Sequence, residues 1–160
     1  IDLQVGTMSK ALAAEGGYVV GKRLLIEYLK SKSRPFIFST ALSPASAAAA
    51  TEALSLLRNK GNSYIEKLRS NSELLRKLLT EAGLPIIKGV TPIIPIIVGE
   101  AKDTFRLANK IAENGVLVSG IRPPTVPEGQ SRLRMTVSAA HTEEQIRYAA
   151  GLMARAWQER

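Results

Sequence analysis

Val5-Gly6-Thr7-Met8-Ser9-Lys10-Ala11-Leu12, followed at once by Gly16-Gly17-Tyr18-Val19, is the stretch on which the reading of this 160-residue chain turns. Ile1 to Val5 alternates apolar and polar residues, the period of a strand with one face covered. Tyr18-Val19-Val20 reads as a second strand, closed by Gly21. Lys10 thus lies just past a strand, among small hydroxyl residues and glycines. A neutral lysine amine forms a Schiff base with an aldehyde, and Thr7 and Ser9 offer hydroxyls to a phosphate beside it. Those features together suggest pyridoxal phosphate chemistry. A solvated turn lysine fits the same residues, so the stretch needs support from elsewhere in the chain.

Outward from it, Leu24, Leu25, Tyr28 and Leu29 recur at helical spacing over 22–30, and Arg34-Pro35 stops that helix because proline disfavours helical geometry in the residue before it. Phe36-Ile37-Phe38 reads as a short buried strand with Ser39 and Thr40 at its end. Ser43-Pro44 is a helix start, a hydroxyl at the N-cap and proline at the first helical position. An alanine-rich run and a long apolar face carry that helix past Gly61 to a stop at Gly83, with Pro85 beyond. Then 91–98 reads as a buried strand, 102–114 as a helix, 116–119 as a strand and 132–137 as an alternating strand. Thr142 through Gln145 forms a capping box that opens a last helix ending near Trp157. The expected organisation is α/β: the end of a large domain over 1–43, a long connecting helical segment over 44–83, and a small α+β domain with helices on one face of its sheet over 84–160.

Composition narrows the function. The chain is 45% hydrophobic and 22% charged, which suits a globular protein and argues against disorder. No apolar run approaches the roughly 20 residues needed to cross a bilayer. Cysteine is absent, so no disulfide or thiolate metal site is available. The net charge of +8 admits a polyanion as partner. The cations are scattered along helix-like segments, however, without the interleaved aromatics that single-stranded nucleic acid requires, and solvated helix faces plus one anionic ligand account for them. A basic, non-catalytic interaction module is the alternative from a different class.

Several separated blocks now stand together: Gly6-Thr7-Met8-Ser9-Lys10-Ala11, Gly16-Gly17-Tyr18-Val19, Arg34-Pro35-Phe36-Ile37-Phe38-Ser39-Thr40-Ala41, Thr91-Pro92-Ile93-Ile94-Pro95, Ile121-Arg122-Pro123-Pro124-Thr125-Val126-Pro127, Arg132-Leu133-Arg134 and Ser138-Ala139-Ala140-His141-Thr142. In this order and spacing they resemble the α-oxoamine synthases, pyridoxal 5'-phosphate enzymes of the aspartate-aminotransferase fold (fold type I). The resemblance implies a C-acyltransferase. The Arg-Pro-Pro-Thr-Val-Pro block favours the member that joins L-alanine to a pimeloyl thioester, with decarboxylation, in biotin biosynthesis; members using glycine or serine with other acyl groups are the alternatives. It also implies a cytoplasmic homodimer with shared active sites and no membrane or nucleic-acid partner.

Site residues follow from the resemblance position by position. Lys10 matches the lysine that holds the cofactor and moves the substrate's α-proton, a role that calls for a water-poor pocket. Thr7 matches a hydroxyl on the cofactor phosphate. Ser39 and Thr40 match a segment that reaches the phosphate or the acyl donor of the neighbouring subunit. Arg134 matches the arginine that pairs with the amino-acid carboxylate, and Arg122 is a second substrate contact near the same pocket. Arg132 reads as a sheet residue facing solvent, His141 as a structural contact, Trp157 as packing, and no metal is expected. Family members are more than twice as long. The groups that stack on the cofactor ring and hold its nitrogen match nothing here, so the resemblance implies a C-terminal fragment, inactive or nearly so alone.

Overall fold

Alternation at the start of the chain folds as a hairpin. The computed structural model describes residues 1–160, and in it β1 (Leu3–Thr7) pairs antiparallel with β2 (Gly17–Gly21), from Leu3 opposite Gly21 to Thr7 opposite Gly17. Helix α1 (Arg23–Lys32) follows and ends where the Ser33 N–H donates to the Leu29 carbonyl at 2.8 Å.

The buried strand expected at Phe36-Ile37-Phe38 is instead a single helical turn, α2 (Arg34–Ile37). Proline suits the first turn of a helix, where its missing N–H has no partner to lose. The Phe36 and Ile37 amides both donate to the Ser33 carbonyl, at 3.1 and 3.0 Å, and the Phe38 amide to the Arg34 carbonyl at 3.0 Å. Phe36 and Phe38 are exposed, at 63% and 75%, with the Arg34 guanidinium 5.3 Å from the Phe38 ring centroid.

Helix α3 (Pro44–Glu81) starts as its sequence requires, the Ser43 hydroxyl accepting the Ser46 N–H at 3.1 Å. By packing the chain divides into two compact units, Ile1–Gly61 and Asn62–Arg160, and α3 contributes residues to both. Its end is set by Gly83 at φ +76°: the Gly83 N–H bonds the Thr80 carbonyl at 2.9 Å and the Leu84 N–H the Leu79 carbonyl at 3.0 Å. That pair of bonds needs a left-handed residue, which glycine adopts without steric cost.

The second unit builds one sheet, β3 (Ile93–Gly99), β5 (Ser131–Thr136) and β4 (Ser119–Ile121) in that spatial order, with both pairings antiparallel. Helices α4 (Ala101–Ala112) and α5 (Glu143–Gln158) complete it. The strand expected at 116–119 begins only at Ser119. Gly115 ends α4 as Gly83 ends α3, and the Val116 N–H is committed to the Ile111 carbonyl at 3.3 Å. The capping box forms in full: the Thr142 hydroxyl accepts the Gln145 N–H and the Gln145 side chain accepts the Thr142 N–H.

The core lies between one face of the sheet and the helices. Ile94, Ile96, Leu133 and Met135 meet Leu75 and Leu79 of α3, Leu107 and Ile111 of α4, and Ile146 and Met153 of α5. Leu133 is completely buried on the central strand. Leu133→Ala is expected to lower the stability of this unit by about 2–5 kcal/mol, read as a lower urea midpoint with unchanged slope.

Candidate active site

Each unit presents part of the expected site. In the first, the segment between β1 and β2 is a closed loop rather than a free tether. The Met8 N–H bonds the Gly16 carbonyl at 3.0 Å, extending the hairpin ladder, and the Ala14 N–H returns to the Met8 carbonyl at 3.0 Å. The tip turns where the Ala13 N–H meets the Lys10 carbonyl at 3.0 Å, with Ala13 at φ 50°. Met8 is buried at 7% exposure and anchors the loop. Gly16, at φ +98°, lies so close that a Cβ there would come within 2.9 Å of the Met8 methyl and of Leu42. With Met8 turned inward, Lys10 is exposed, and no hydrogen bond or ion pair holds its amine. The water-poor pocket expected around Lys10 is not formed by this unit alone.

Thr7 and Ser9 are brought together beside it. Their hydroxyl oxygens are 2.8 Å apart, and Thr7 Oγ1 also accepts the Ser9 N–H at 3.2 Å. Two hydroxyl protons serve the pair. One closes the contact between them, and the other is spent on a 3.4 Å bond from Thr7 Oγ1 to the Gly16 carbonyl. A bond that long is readily exchanged for a charged acceptor, so this donor set, on the residues leading into Lys10 with its unpaired amine, suits an aldehyde that carries a phosphate. Ser39 donates its hydroxyl to the Pro35 carbonyl at the end of α2, and Thr40 is exposed just beyond. Neither is hydrogen-bonded to Thr7, Ser9 or Lys10.

In the second unit the alternation of β5 places its two arginines on the face away from the helices. Arg134 stands opposite Pro95 of β3 and Ser119 of β4, and Arg132 opposite Ile97 and Ile121. Arg132 is occupied: its Nε donates to the Gln130 carbonyl at 3.0 Å and Nη2 to the Gln130 side-chain oxygen at 3.2 Å. Arg134 is exposed, and its guanidinium has no partner. Of the two, Arg134 is therefore the one free to take up a carboxylate.

Arg122 is not brought beside Arg134. It follows β4 on the α4 side of the sheet, 6.0 Å from the Phe105 ring centroid, with Nη1 3.3 Å from the Pro123 carbonyl. His141 is a structural contact as expected. Its Nδ1 accepts the Ser138 N–H at 3.2 Å, and the carbonyls of both residues accept from the buried Asn71 amide at 2.9 and 3.0 Å. A cavity of about 310 Å³ beside His141, lined by Leu75, Met135 and Ile146, contains none of the expected site residues. Trp157 is half-buried with the Arg160 guanidinium 3.5 Å from its ring centroid. Asn71 and Arg76 of α3, which hold loops flanking the sheet, were not visible as site-forming residues. In sequence they are ordinary polar positions of an amphipathic helix.

The chain belongs to the aminotransferase class I and II family, whose model matches residues 1–152. It is 46% identical over 160 residues to the 8-amino-7-oxononanoate synthase of Trichlorobacter lovleyi, a match covering 99% of this chain and 41% of that protein. A high-resolution structure of SPT with its PLP internal aldimine superposes with a TM-score of 0.93 at 28% identity, over 99% of this chain and 40% of the other. The 8-amino-7-oxononanoate synthase of Francisella tularensis superposes with a TM-score of 0.84 at 28% identity, over 99% of this chain and 46% of its own. The chain thus has the fold of these proteins while spanning less than half the length of each.

Two measurements check this local chemistry. Thr7→Val keeps the shape but removes the acceptor of the Ser9 amide, and that amide is expected to exchange its hydrogen measurably faster while the β1–β2 ladder amides do not change. On the far side of the second unit, the Glu159 carboxyl is held below its usual value by a hydrogen bond and the charge of Lys110, with a further contribution from Arg155. A depressed carboxylate stabilises the fold above its ordinary titration range, and that contribution fades as pH falls through the lowered value. In Lys110→Met, Glu159 is expected to titrate at higher pH, followed by its side-chain carbon resonance.

Proposed function

We propose that this chain is the C-terminal part of a pyridoxal-phosphate-dependent C-acyltransferase that condenses L-alanine with a pimeloyl thioester, carried on coenzyme A or acyl carrier protein. The products are 8-amino-7-oxononanoate, carbon dioxide and the free thiol, and the reaction belongs to biotin biosynthesis. The observation that carries this reading is the 46% identity to an 8-amino-7-oxononanoate synthase along 99% of the chain.

The residues present suit the roles. When bound, pyridoxal phosphate supplies an electron sink for the charge left as the amino acid loses its α-proton. Lys10 would hold the cofactor's aldehyde carbon and later carry the α-proton on its amine. The Thr7 hydroxyl, oriented by Ser9, would donate to the phosphate. Arg134, with its planar fork free on the open sheet face, would take the amino-acid carboxylate through two parallel bonds and so fix which substrate bond is presented for cleavage. Arg122 is proposed as a second substrate contact, and Ser39 and Thr40 as contacts to the cofactor phosphate or acyl donor of a neighbouring subunit in a cytoplasmic homodimer. No membrane or nucleic-acid partner belongs to this reading. The chain alone is expected to be inactive or nearly so.

A second reading, serine palmitoyltransferase, is supported by the higher TM-score to SPT, 0.93 against 0.84 for the Francisella enzyme. Glycine C-acetyltransferase and 5-aminolaevulinate synthase would use the same lysine and arginine. A panel of alanine, glycine and serine against pimeloyl, acetyl, succinyl and palmitoyl thioesters separates them, and turnover of alanine with the pimeloyl thioester above every other pair is expected. In the full-length protein, Lys10→Ala should lose the visible absorption band of the bound cofactor and at least about 10²–10⁴-fold in turnover, the span of a lost general acid–base group. Arg134→Lys should raise KM for alanine about ten- to a hundredfold, the loss of a charge-assisted bond. An unchanged band in Lys10→Ala sinks the assignment of Lys10, and full activity of the isolated chain overturns the reading of it as part of a longer enzyme.

A further inference from the structure

Residues 85–87 run alongside the outer edge of β3, and proline leaves a gap between them. Ile86 is bridged to Ile96, the Ile87 N–H donates to the Pro95 carbonyl at 3.0 Å, and the Ile97 N–H donates to the Pro85 carbonyl at 3.2 Å. An antiparallel pair would return a bond from residue 95 to the Ile87 carbonyl. Pro95 has no N–H to give. The guanidinium of Arg76 fills that position. Its Nη1 donates to the Ile87 carbonyl at 3.1 Å, and its Nη2 to the carbonyls of Thr91 at 2.8 Å and Ile93 at 3.0 Å. One planar fork thereby closes the three acceptors around the start of β3.

Pro95 is also the residue directly opposite Arg134 on β5. Because the Pro95 carbonyl points outward to Ile87, the Pro95–Arg134 pair is of the narrow kind with no ladder bond of its own, in which the Cα atoms lie about 4.5 Å apart and the side chains are closest. The two side chains share the open face. The stem of Arg134 therefore rests beside a proline ring whose position is set from the outer edge, and Arg76 completes that edge. Arg76 has no carboxylate partner, and its Nε is buried without an acceptor. Burying a donor without an acceptor carries a desolvation cost, which a guanidinium retained for helix stability alone would not need to bear.

We propose that Arg76 is a positioning residue for Arg134, holding β3 at Pro95 so that the Arg134 fork is presented to the amino-acid carboxylate. This rests on the reading of Arg134 given above. In the full-length protein, Arg76→Gln should raise KM for L-alanine about three- to tenfold, equivalent to losing one net hydrogen bond, while KM for the acyl thioester and the cofactor absorption band stay unchanged. Arg76→Lys, the milder variant, should recover part of the effect because an ammonium reaches fewer of the three carbonyls. Pro95→Val placed in the Arg76→Gln background restores an N–H facing Ile87 and should bring KM for alanine back toward that of the unsubstituted enzyme. An Arg76→Gln or Arg76→Lys protein whose KM values are both unchanged, or rise together, overturns the proposal, as does a double variant no better than Arg76→Gln. Arg134→Lys in the same assay separates the two levels. If it raises KM for alanine and the Arg76 variants do not, the positioning role alone fails; if it does not, the carboxylate role fails and the proposal with it.

Discussion

Side chains of a paired strand can point in only two directions, and in β5 this constraint sorts the whole second unit. Ser131, Leu133 and Met135 are buried toward the helices, so Arg132, Arg134 and Thr136 face away. A slip of one residue against β3 would send both arginines into the core and bring Leu133 into water, a change too costly to be populated. The register is pinned from both sides, by β3 and by β4, and the helices pack on what it presents. The open guanidinium of Arg134 is thus a by-product of how the core is closed.

The Lys10 loop obeys a related rule on a smaller scale. Met8 and Lys10 are two residues apart, yet they part direction because the loop folds back through Gly16 and the turn at Ala13. Met8 is buried while Lys10 is exposed, and the Thr7–Ser9 hydroxyl pair lies on the residues leading into it. Much of this unit's apolar surface is exposed as well, including Val5 at 79%, Leu24 at 81% and Phe38 at 75%. The chain spans 41% of the Trichlorobacter lovleyi enzyme.

What could be read in the sequence was whatever has a local cause. The Thr142–Gln145 box, Ser43-Pro44, the glycine stop at 83 and the alternation of 132–137 each depend on residues within a turn or two of one another, and all appear in the structure. Phe36-Ile37-Phe38 failed because three apolar residues carry no period, and the deciding term was Pro35 at the start of a helical turn. The strand expected from Val116 starts late because Gly115 is the left-handed residue that ends α4, which leaves the Val116 amide bonded back to the Ile111 carbonyl. Lys10, Thr7 and Arg134 are proposed as site residues on family resemblance more than on pattern. Arg76 had no signal at all, since its carbonyl partners lie 11 to 17 residues further on and a backbone acceptor leaves no mark in side-chain identity.

A strand with an unfilled edge is a template on which another chain can add itself, and β3 is rich in the isoleucines that favour such growth. Its outer edge offers almost nothing to add to. Proline withholds one donor, residues 85–87 cover the centre, and the carbonyls of Thr91 and Ile93 are already taken by Arg76. The same few atoms that finish the sheet therefore protect it from intermolecular strand exchange. A nascent or partly opened copy would be most prone to aggregate in the interval before α3 is in place to bring that guanidinium to the edge.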